Sequence, residues 1–409
     1  MTNQPRTTTA TPFARPLFVM AKPAGAFCNL RCDYCYYLEK AVTLSPGHKC
    51  GNVQEGTTAL NAKNTMSDAL LELFTKQYID AQTQREVLFT WHGGEPLTMP
   101  ISFYEKAMAL QRKHANGHLI DNCIQTNGTL IDENWCRMFK ENNWLVGVSI
   151  DGTREMHDRY RRNANGQGSF DKVMRGIELL NRYGVMWNAM AVVNSHNAEY
   201  PVEFYNFFKS IGCRYIQFTP IVERTIDGHL ATIDDRQEDC KLTEMSVSPE
   251  QWGRFACGVF DEWVQGDIGE YFIQLFEATL ANWVGSEPGV CSLAKGCGFA
   301  LAMEPGGDVY ACDHFVFPQY RLGNINEQPL AGMAYSPRQS AFRRLKPSLP
   351  RQCMECQWRF ACNGECPKNR FATTKGGEQG LNYLCEGYKM FFSHVAPYME
   401  ILKREFGHG

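Results

Sequence analysis

Residues 17–35 read LFVMAKPAGAFCNLRCDYC: a short apolar run, a Lys-Pro break, and then three cysteines, Cys28, Cys32 and Cys35, spaced CxxxCxxC. The apolar run has the length of a buried strand, and the Pro and Gly behind it end that strand. Three thiols so close in sequence must meet in space. Read as disulfides, an odd cluster leaves one thiol over, so a metal centre is the simpler expectation. A 4Fe-4S cubane held by three thiolates keeps one iron open, as a catalytic zinc keeps an open position, and that opening suggests catalysis. Spacing alone leaves a zinc site with its fourth ligand elsewhere as an alternative, although zinc sites more often arrive as paired CxxC knuckles.

Outward from this strand, apolar β-rich runs alternate with segments of helical period as far as residue 220. The candidate strands are LFVMAKP (17–23), EVLFTWH (86–92), IDNCIQT (120–126), WLVGVSI (144–150), MWNAMAVV (186–193) and RYIQFTP (214–220). Helices are predicted over 67–82, capped by Ser67, and over 101–115, 132–142, 170–183 and 199–211. That alternation implies βαβ units and a parallel sheet, whose chemistry sits at the carboxyl ends of the strands. The cysteine motif follows the first strand, GGEP (Gly93–Pro96) the second, Asn127-Gly128 the third and Asp151-Gly152 the fourth. Each turn alone is ordinary loop chemistry. Four in register on one face point to a site.

The chain of 409 residues is 44% hydrophobic, enough for a large core in two or three domains or one extended barrel with appendages. A net charge of −3 gives no basic field for nucleic acid, which is excluded as a partner. The first 16 residues are polar and Thr-rich, with no secretory signal, and no apolar run reaches the length of a membrane span. A cytoplasmic protein with no membrane partner is expected. There 17 cysteines are not disulfides. Cys50, Cys123, Cys136, Cys213, Cys240 and Cys257 are scattered and read as small buried hydrophobes. Eight others fall in the last third: Cys291, Cys297, Cys312, Cys353, Cys356, Cys362, Cys366 and Cys385. A region so rich in Gly, Pro and Cys has little apolar mass of its own, and metal is expected to supply folding energy. Two zinc sites would use the same eight thiols.

CxxxCxxC after the first strand of a βα repeat, with Tyr34 before the third cysteine and GGEP after the second strand, resembles the radical S-adenosylmethionine (SAM) superfamily. The resemblance implies that Cys28, Cys32 and Cys35 hold a 4Fe-4S cluster whose open iron takes the methionyl group. Cleavage there gives a 5'-deoxyadenosyl radical that abstracts hydrogen. It also implies that Tyr34, Gly93, Gly94, Glu95, Gln125, Asn127, Ser149 and Arg161 line the cofactor site, with GGEP at the methionyl amine and Ser149 and Arg161 at the carboxylate and ribose. The plain alternatives for the last two are a strand-end hydroxyl and a solvated arginine.

The tail, CxxCxxxxxCxxxC at 353–366 followed by Cys385, resembles the SPASM extension of peptide-modifying radical enzymes. By that resemblance two auxiliary 4Fe-4S clusters are held by Cys291, Cys297, Cys312 and Cys366 and by Cys353, Cys356, Cys362 and Cys385, making three clusters in all. The strings KPAGAFCNLRCDYCYYLEK, LFTWHGGEPL, CIQTNGTL, VGVSIDG, YIQFTPIVER, GDVYACDHFVFP and FACNGECPKNRF together resemble the anaerobic sulfatase-maturating enzymes. Members oxidise a Cys or Ser of an unfolded or nascent sulfatase, in a C/S-x-P-x-R motif, to formylglycine. The radical takes a Cβ hydrogen, a base takes the thiol or hydroxyl proton, and the last electron leaves through the auxiliary clusters. Asp313 matches the base, and a ferredoxin or flavodoxin is the expected electron donor. Tyr37 and His92, beside the cofactor motifs, are candidate substrate contacts. Another SPASM modifier forming thioether or carbon–carbon crosslinks is the alternative enzyme, and a non-catalytic iron-sulfur or zinc protein the alternative outside catalysis.

The expected architecture is α/β: a partial (β/α)6 TIM-like barrel over 17–223, after a flexible terminus at 1–16. A linker and helical region at 224–284 leads to the SPASM domain at 285–390 and a C-terminal helix and tail at 391–409. A loop at 41–64, with His48 and Cys50, is inserted after the first helix and has no expected role.

Overall fold

The computed structural model describes residues 17–37, 65–235 and 237–406. The expected flexible terminus and the insertion at 41–64, with His48 and Cys50, lie outside the described residues.

Six predicted strands form: β1 (Leu17–Ala21), β2 (Glu86–Trp91), β3 (Leu119–Thr126), β4 (Leu145–Ser149), β5 (Met186–Val193) and β6 (Tyr215–Pro220). They are parallel neighbours in simple sequence order, 1-2-3-4-5-6. A doubly wound sheet reverses its order part-way; this one does not, which makes it a section of barrel. Alternation along each strand sets the two faces. On β5, Trp187, Ala189, Ala191 and Val193 are buried, while Met186, Asn188, Met190 and Val192 are more open.

The buried face is covered by α1 (Asp68–Asp80), α2 (Ile101–His114), α3 (Glu133–Glu141), α4 (Phe170–Tyr183) and α5 (Pro201–Ser210). Local chemistry sets their ends: Ser67 Oγ accepts from Leu70 N at α1, Asp132 Oδ1 from Trp135 N at α3, and Gly184 ends α4 at φ 62°. Beneath them Trp91 packs edge-on to Phe103 and Tyr104, at ring distances of 5.9 and 5.7 Å.

The sheet does not stop at six strands. Short β7 (Phe272–Ile273) adds to β6, while β8 (Phe299–Met303) pairs in parallel with the whole of β1 and continues into antiparallel β9 (Asp308–Tyr310) and β10 (Arg321–Asn324). The cysteine-rich segment thus shares one hydrogen-bonded sheet of 10 strands with the barrel. The two outer strands, β7 and β10, do not pair with each other, so the barrel is partial.

The polar stretch after 223 is not a featureless linker. Arg224–Ile226, His229–Leu230 and Lys241–Leu242 form a small antiparallel sheet. The aromatic-rich region behind it forms α6 (Pro249–Val264) and α7 (Gln274–Trp283). The last helix, α8 (Cys385–Phe406), starts before the expected residue 391 and crosses α6 at glycine. A Cβ on Gly387 would lie 2.1 Å from Pro249 O, so only glycine permits this approach.

Candidate active site

The loops after β1, β2, β3 and β4 converge at one end of the sheet. Gly94 N donates to Gly25 O at 2.7 Å and Glu95 N to Phe27 O at 2.8 Å, laying the GGEP turn directly on the loop that leads into Cys28. The approach is too close for a side chain: a Cβ on Gly94 would sit 2.2 Å from Phe27 O. Glu95 is fully buried and faces away from solvent into the next loop. Its carboxylate accepts from Leu97 N (2.9 Å), Thr126 Oγ1 (2.7 Å) and Asn127 N (2.7 Å). Burial pushes its pKa up to about 7, and the three donors oppose that shift. Glu95 is therefore a brace between two loops.

Asn127 donates through Nδ2 to Asn29 Oδ1 at 2.8 Å and, more weakly, to Cys28 Sγ at 3.7 Å. Gln125 Nε2 donates to Ser149 Oγ at 3.0 Å, linking β3 to β4 on their open face. Arg161 is no solvated arginine: it is 7% exposed. Its Nε and Nη2 donate to Asp151 Oδ2 (2.9 Å) and Oδ1 (3.1 Å), and its guanidinium lies 5.4 Å from the Tyr34 ring centre. The Tyr34 hydroxyl donates to the same carboxylate, and Val192 N reaches it at 2.8 Å. Asp151, seen in the sequence only as half of an Asp-Gly turn, is the hub that holds two expected cofactor residues. Their side chains are thus directed first at one another.

Asp313 follows Cys312 and is held by two residues from the N-terminal part of the chain. Lys22, buried at the end of β1, forms an ion pair with it, and the Tyr36 hydroxyl donates to its Oδ2. Lys22 also lies 3.6 Å from Glu304 and 3.8 Å from the centre of the Tyr37 ring, and Tyr37 donates to Glu304. Tyr36 adjoins Cys35. One hydrogen bond therefore joins the residue after the N-terminal cysteine motif to the residue after Cys312. Burial pulls the His92 pKa down, and Asp313 acts on it in the opposite sense. Neither Lys22 nor Glu304 carried a sequence signal.

Several of the cysteines lie close enough to act on one another. Cys28 and Cys32 each feel the charge of Cys35, and Cys28 that of Cys32. Cys312 feels Cys291 and Cys297, and Cys366 feels Cys312 and Cys291. Cys385 feels Cys353 and Cys356, and Cys362 feels Cys385. Cys353, Cys356, Cys362 and Cys385 line one cavity of about 390 Å³ with Tyr388 and Phe392. Among the described residues no three or more His, Cys, Asp or Glu side chains close around a single ion. Burial pushes Cys32, Cys312 and Cys362 each up to about 12, so as thiolates they need a strong positive charge beside them. Sets made only of soft thiolates, with room between them, fit iron-sulfur cores.

A cleft of about 460 Å³ opens beside Tyr36 and His314, lined also by Glu223, Arg224, Lys368 and Phe371. Glu223 and Lys368 form an ion pair across it, and Arg224 stacks 4.3 Å from the Phe371 ring centre.

Residues 23–208 match the radical SAM superfamily, and residues 296–357 match the SPASM iron-sulfur cluster-binding domain. The chain is 60% identical to a serine-type anaerobic sulfatase-maturating enzyme from Bacteroides thetaiotaomicron, over 98% of this chain and 94% of that protein. The chain belongs to the anaerobic sulfatase-maturating enzymes. It is 31% identical to a cysteine-type relative from Clostridium perfringens, over 93% of this chain and 97% of the other. The fold is that of native anSMEcpe with bound AdoMet and a Cp18Cys peptide, with a TM-score of 0.81 at 29% identity, covering 96% of this chain and 99% of that one. As a radical SAM sulfatase-maturating enzyme, the protein uses S-adenosylmethionine and iron-sulfur clusters.

Proposed function

We propose that the protein oxidises a serine of a nascent or unfolded sulfatase, within a C/S-x-P-x-R motif, to formylglycine, and that it does so in the cytoplasm. Serine preference is supported by the 60% identity to a serine-type relative. The observation that carries the chemistry is the Tyr36–Asp313 hydrogen bond, which sets a carboxylate against the loop of Cys28, Cys32 and Cys35. Among the described residues no helix is long and apolar enough to cross a membrane.

In this reading Cys28, Cys32 and Cys35 hold one 4Fe-4S cluster. Cys291, Cys297, Cys312 and Cys366 hold a second, and Cys353, Cys356, Cys362 and Cys385 a third. Residues 17–223 form the radical SAM unit and 285–390 the SPASM unit. Bound S-adenosylmethionine supplies a radical that takes one hydrogen atom, and the auxiliary clusters supply a sink for one electron. The protein does the rest. Backbone groups of Gly93 and Gly94, braced by Glu95, cradle the methionyl end; Gln125, Asn127 and Ser149 face the cofactor from β3 and β4; Asp151 holds Tyr34 and Arg161 in place beside it. The cleft between His314 and Lys368 admits the peptide. Asp313 accepts the hydroxyl proton of the serine as its Cβ is oxidised. A ferredoxin or flavodoxin exchanges electrons with the clusters.

The test is anoxic incubation of the reconstituted enzyme with S-adenosylmethionine, a reductant and an SxPxR peptide. The expected product is lighter by two hydrogens and traps an aldehyde reagent. About twelve irons and twelve sulfides per chain are expected. Cofactor cleavage without any aldehyde from serine or cysteine peptides sinks the reading.

A further inference from the structure

We propose that Lys346 raises the reduction potential of the cluster held by Cys291, Cys297, Cys312 and Cys366, by fixing one buried positive charge beside those thiolates. The proposal rests on the reading that these four cysteines carry a cluster. Lys346 is 0% exposed. Its Nζ donates to Ser292 O and to Glu365 O, both at 2.6 Å. Those carbonyls belong to the residues adjoining Cys291 and Cys366, so one ammonium ties together two ligand segments far apart in sequence.

Other residues hold it there. Arg370 Nη1 donates to Leu345 O (3.0 Å) and to Lys346 O (2.8 Å), pinning the backbone, while Nη2 donates to Glu365 O at 2.9 Å. Glu365 turns its carboxylate to the amides of Asn369 (3.1 Å) and Asn382 (2.6 Å), so it acts on Lys346 through space while the ammonium makes its hydrogen bonds to carbonyl dipoles. Two dipoles are a small return for burying an ammonium, which is costly without a compensating negative charge. The Glu365 carboxylate supplies the first part of that charge and the thiolates of Cys366 and Cys297 the rest, against the opposing charge of Arg370, and Lys346 acts in turn on Cys291 and Cys297. A cluster bound by four thiolates is anionic, and reduction makes it more so. A fixed ammonium in the same low-dielectric space therefore favours the reduced state, which suits a cluster that must accept an electron from substrate.

The test is a potentiometric titration followed by electron resonance. It uses the full chain with Cys28, Cys32 and Cys35 replaced by Ala, so that only the auxiliary signals remain. Iron and sulfide near eight per chain check the cluster reading separately. In Lys346→Met one auxiliary potential is expected to move to more negative values while the other moves less, and Lys346→Arg is expected to stay near the parent. Equal potentials in parent and Lys346→Met, at equal iron, overturn the proposal. If Lys346→Met loses iron, Lys346→Gln takes its place with the same expected direction. If neither holds a cluster, Lys346 is a structural strut and the proposal falls.

Discussion

Lys22, buried at the end of the first strand, forms an ion pair with Asp313, the residue that follows Cys312. The pair fixes the carboxylate relative to the barrel, and Tyr36 fixes it relative to the N-terminal cysteine motif. Lys22→Met removes the ammonium paired with Asp313. Removing one member of a buried pair costs about 3 to 5 kcal/mol of stability. Loss of positioning is expected to lower aldehyde yield by about 100-fold. Cleavage of S-adenosylmethionine is expected to persist, so the ratio of 5'-deoxyadenosine to aldehyde should rise. An unchanged ratio would detach Lys22 from the chemistry.

Asp313→Asn preserves shape and removes the proton acceptor. A loss of about 100- to 10,000-fold in aldehyde formation is expected, in the range of general-base catalysis. Cofactor cleavage should continue, uncoupled from product. Normal aldehyde yield, measured by mass, would take the base role from Asp313.

Gly94→Ala places a Cβ 2.2 Å from a backbone oxygen, Phe27 O, that has no rotamer with which to escape. Separation of the two loops is expected to cost about 1 to 3 kcal/mol and to weaken cofactor binding. The readout is the change in the N-terminal cluster's electron-resonance signal on adding S-adenosylmethionine; a full response in the variant refutes the close-packing argument.

His157 is buried and neutral, with Nε2 2.9 Å from Ser169 Oγ and Nδ1 accepting from Asp151 N at 3.4 Å. Burial pulls its pKa down to about 3, from about 6.5 in the unfolded chain. The unfolded state therefore binds the proton first. The stabilisation is complete above pH 6.5 and is lost as pH falls from there toward 3, by about 2 kcal/mol between pH 7 and pH 5. Urea midpoints should fall over that window in the native protein and fall less in His157→Gln. Parallel slopes would place the pH dependence elsewhere.

The six barrel strands and the five helices between them were legible because each carries its own period and caps: α4 ends at Gly184, and Ser67 and Asp132 open α1 and α3. The expected cysteine sets stood out because closely spaced thiols in a chain without disulfides point to metal. Strand β8 was not legible, although FALAM is apolar, because nothing local says that it pairs with β1. Lys22, Glu304 and Lys346 were invisible for a related reason, and Asp151 showed only as half of a turn. A buried charge is recognisable only beside its partner, and the partners of Lys22, Glu304 and Lys346 come from distant segments. The sheet near 224–242 was masked by its polar composition.

The pairing of β1 with β8 also constrains how the molecule is made. Strand β1 acquires its second neighbour only when residue 303 has followed it out of the ribosome. Until then an apolar strand shows a bare row of amide and carbonyl groups, an invitation to other chains. A fragment ending at residue 223 is therefore expected to be sticky rather than a working half-enzyme, and the cysteine-rich segment serves the first strand as a chaperone built into the same polypeptide.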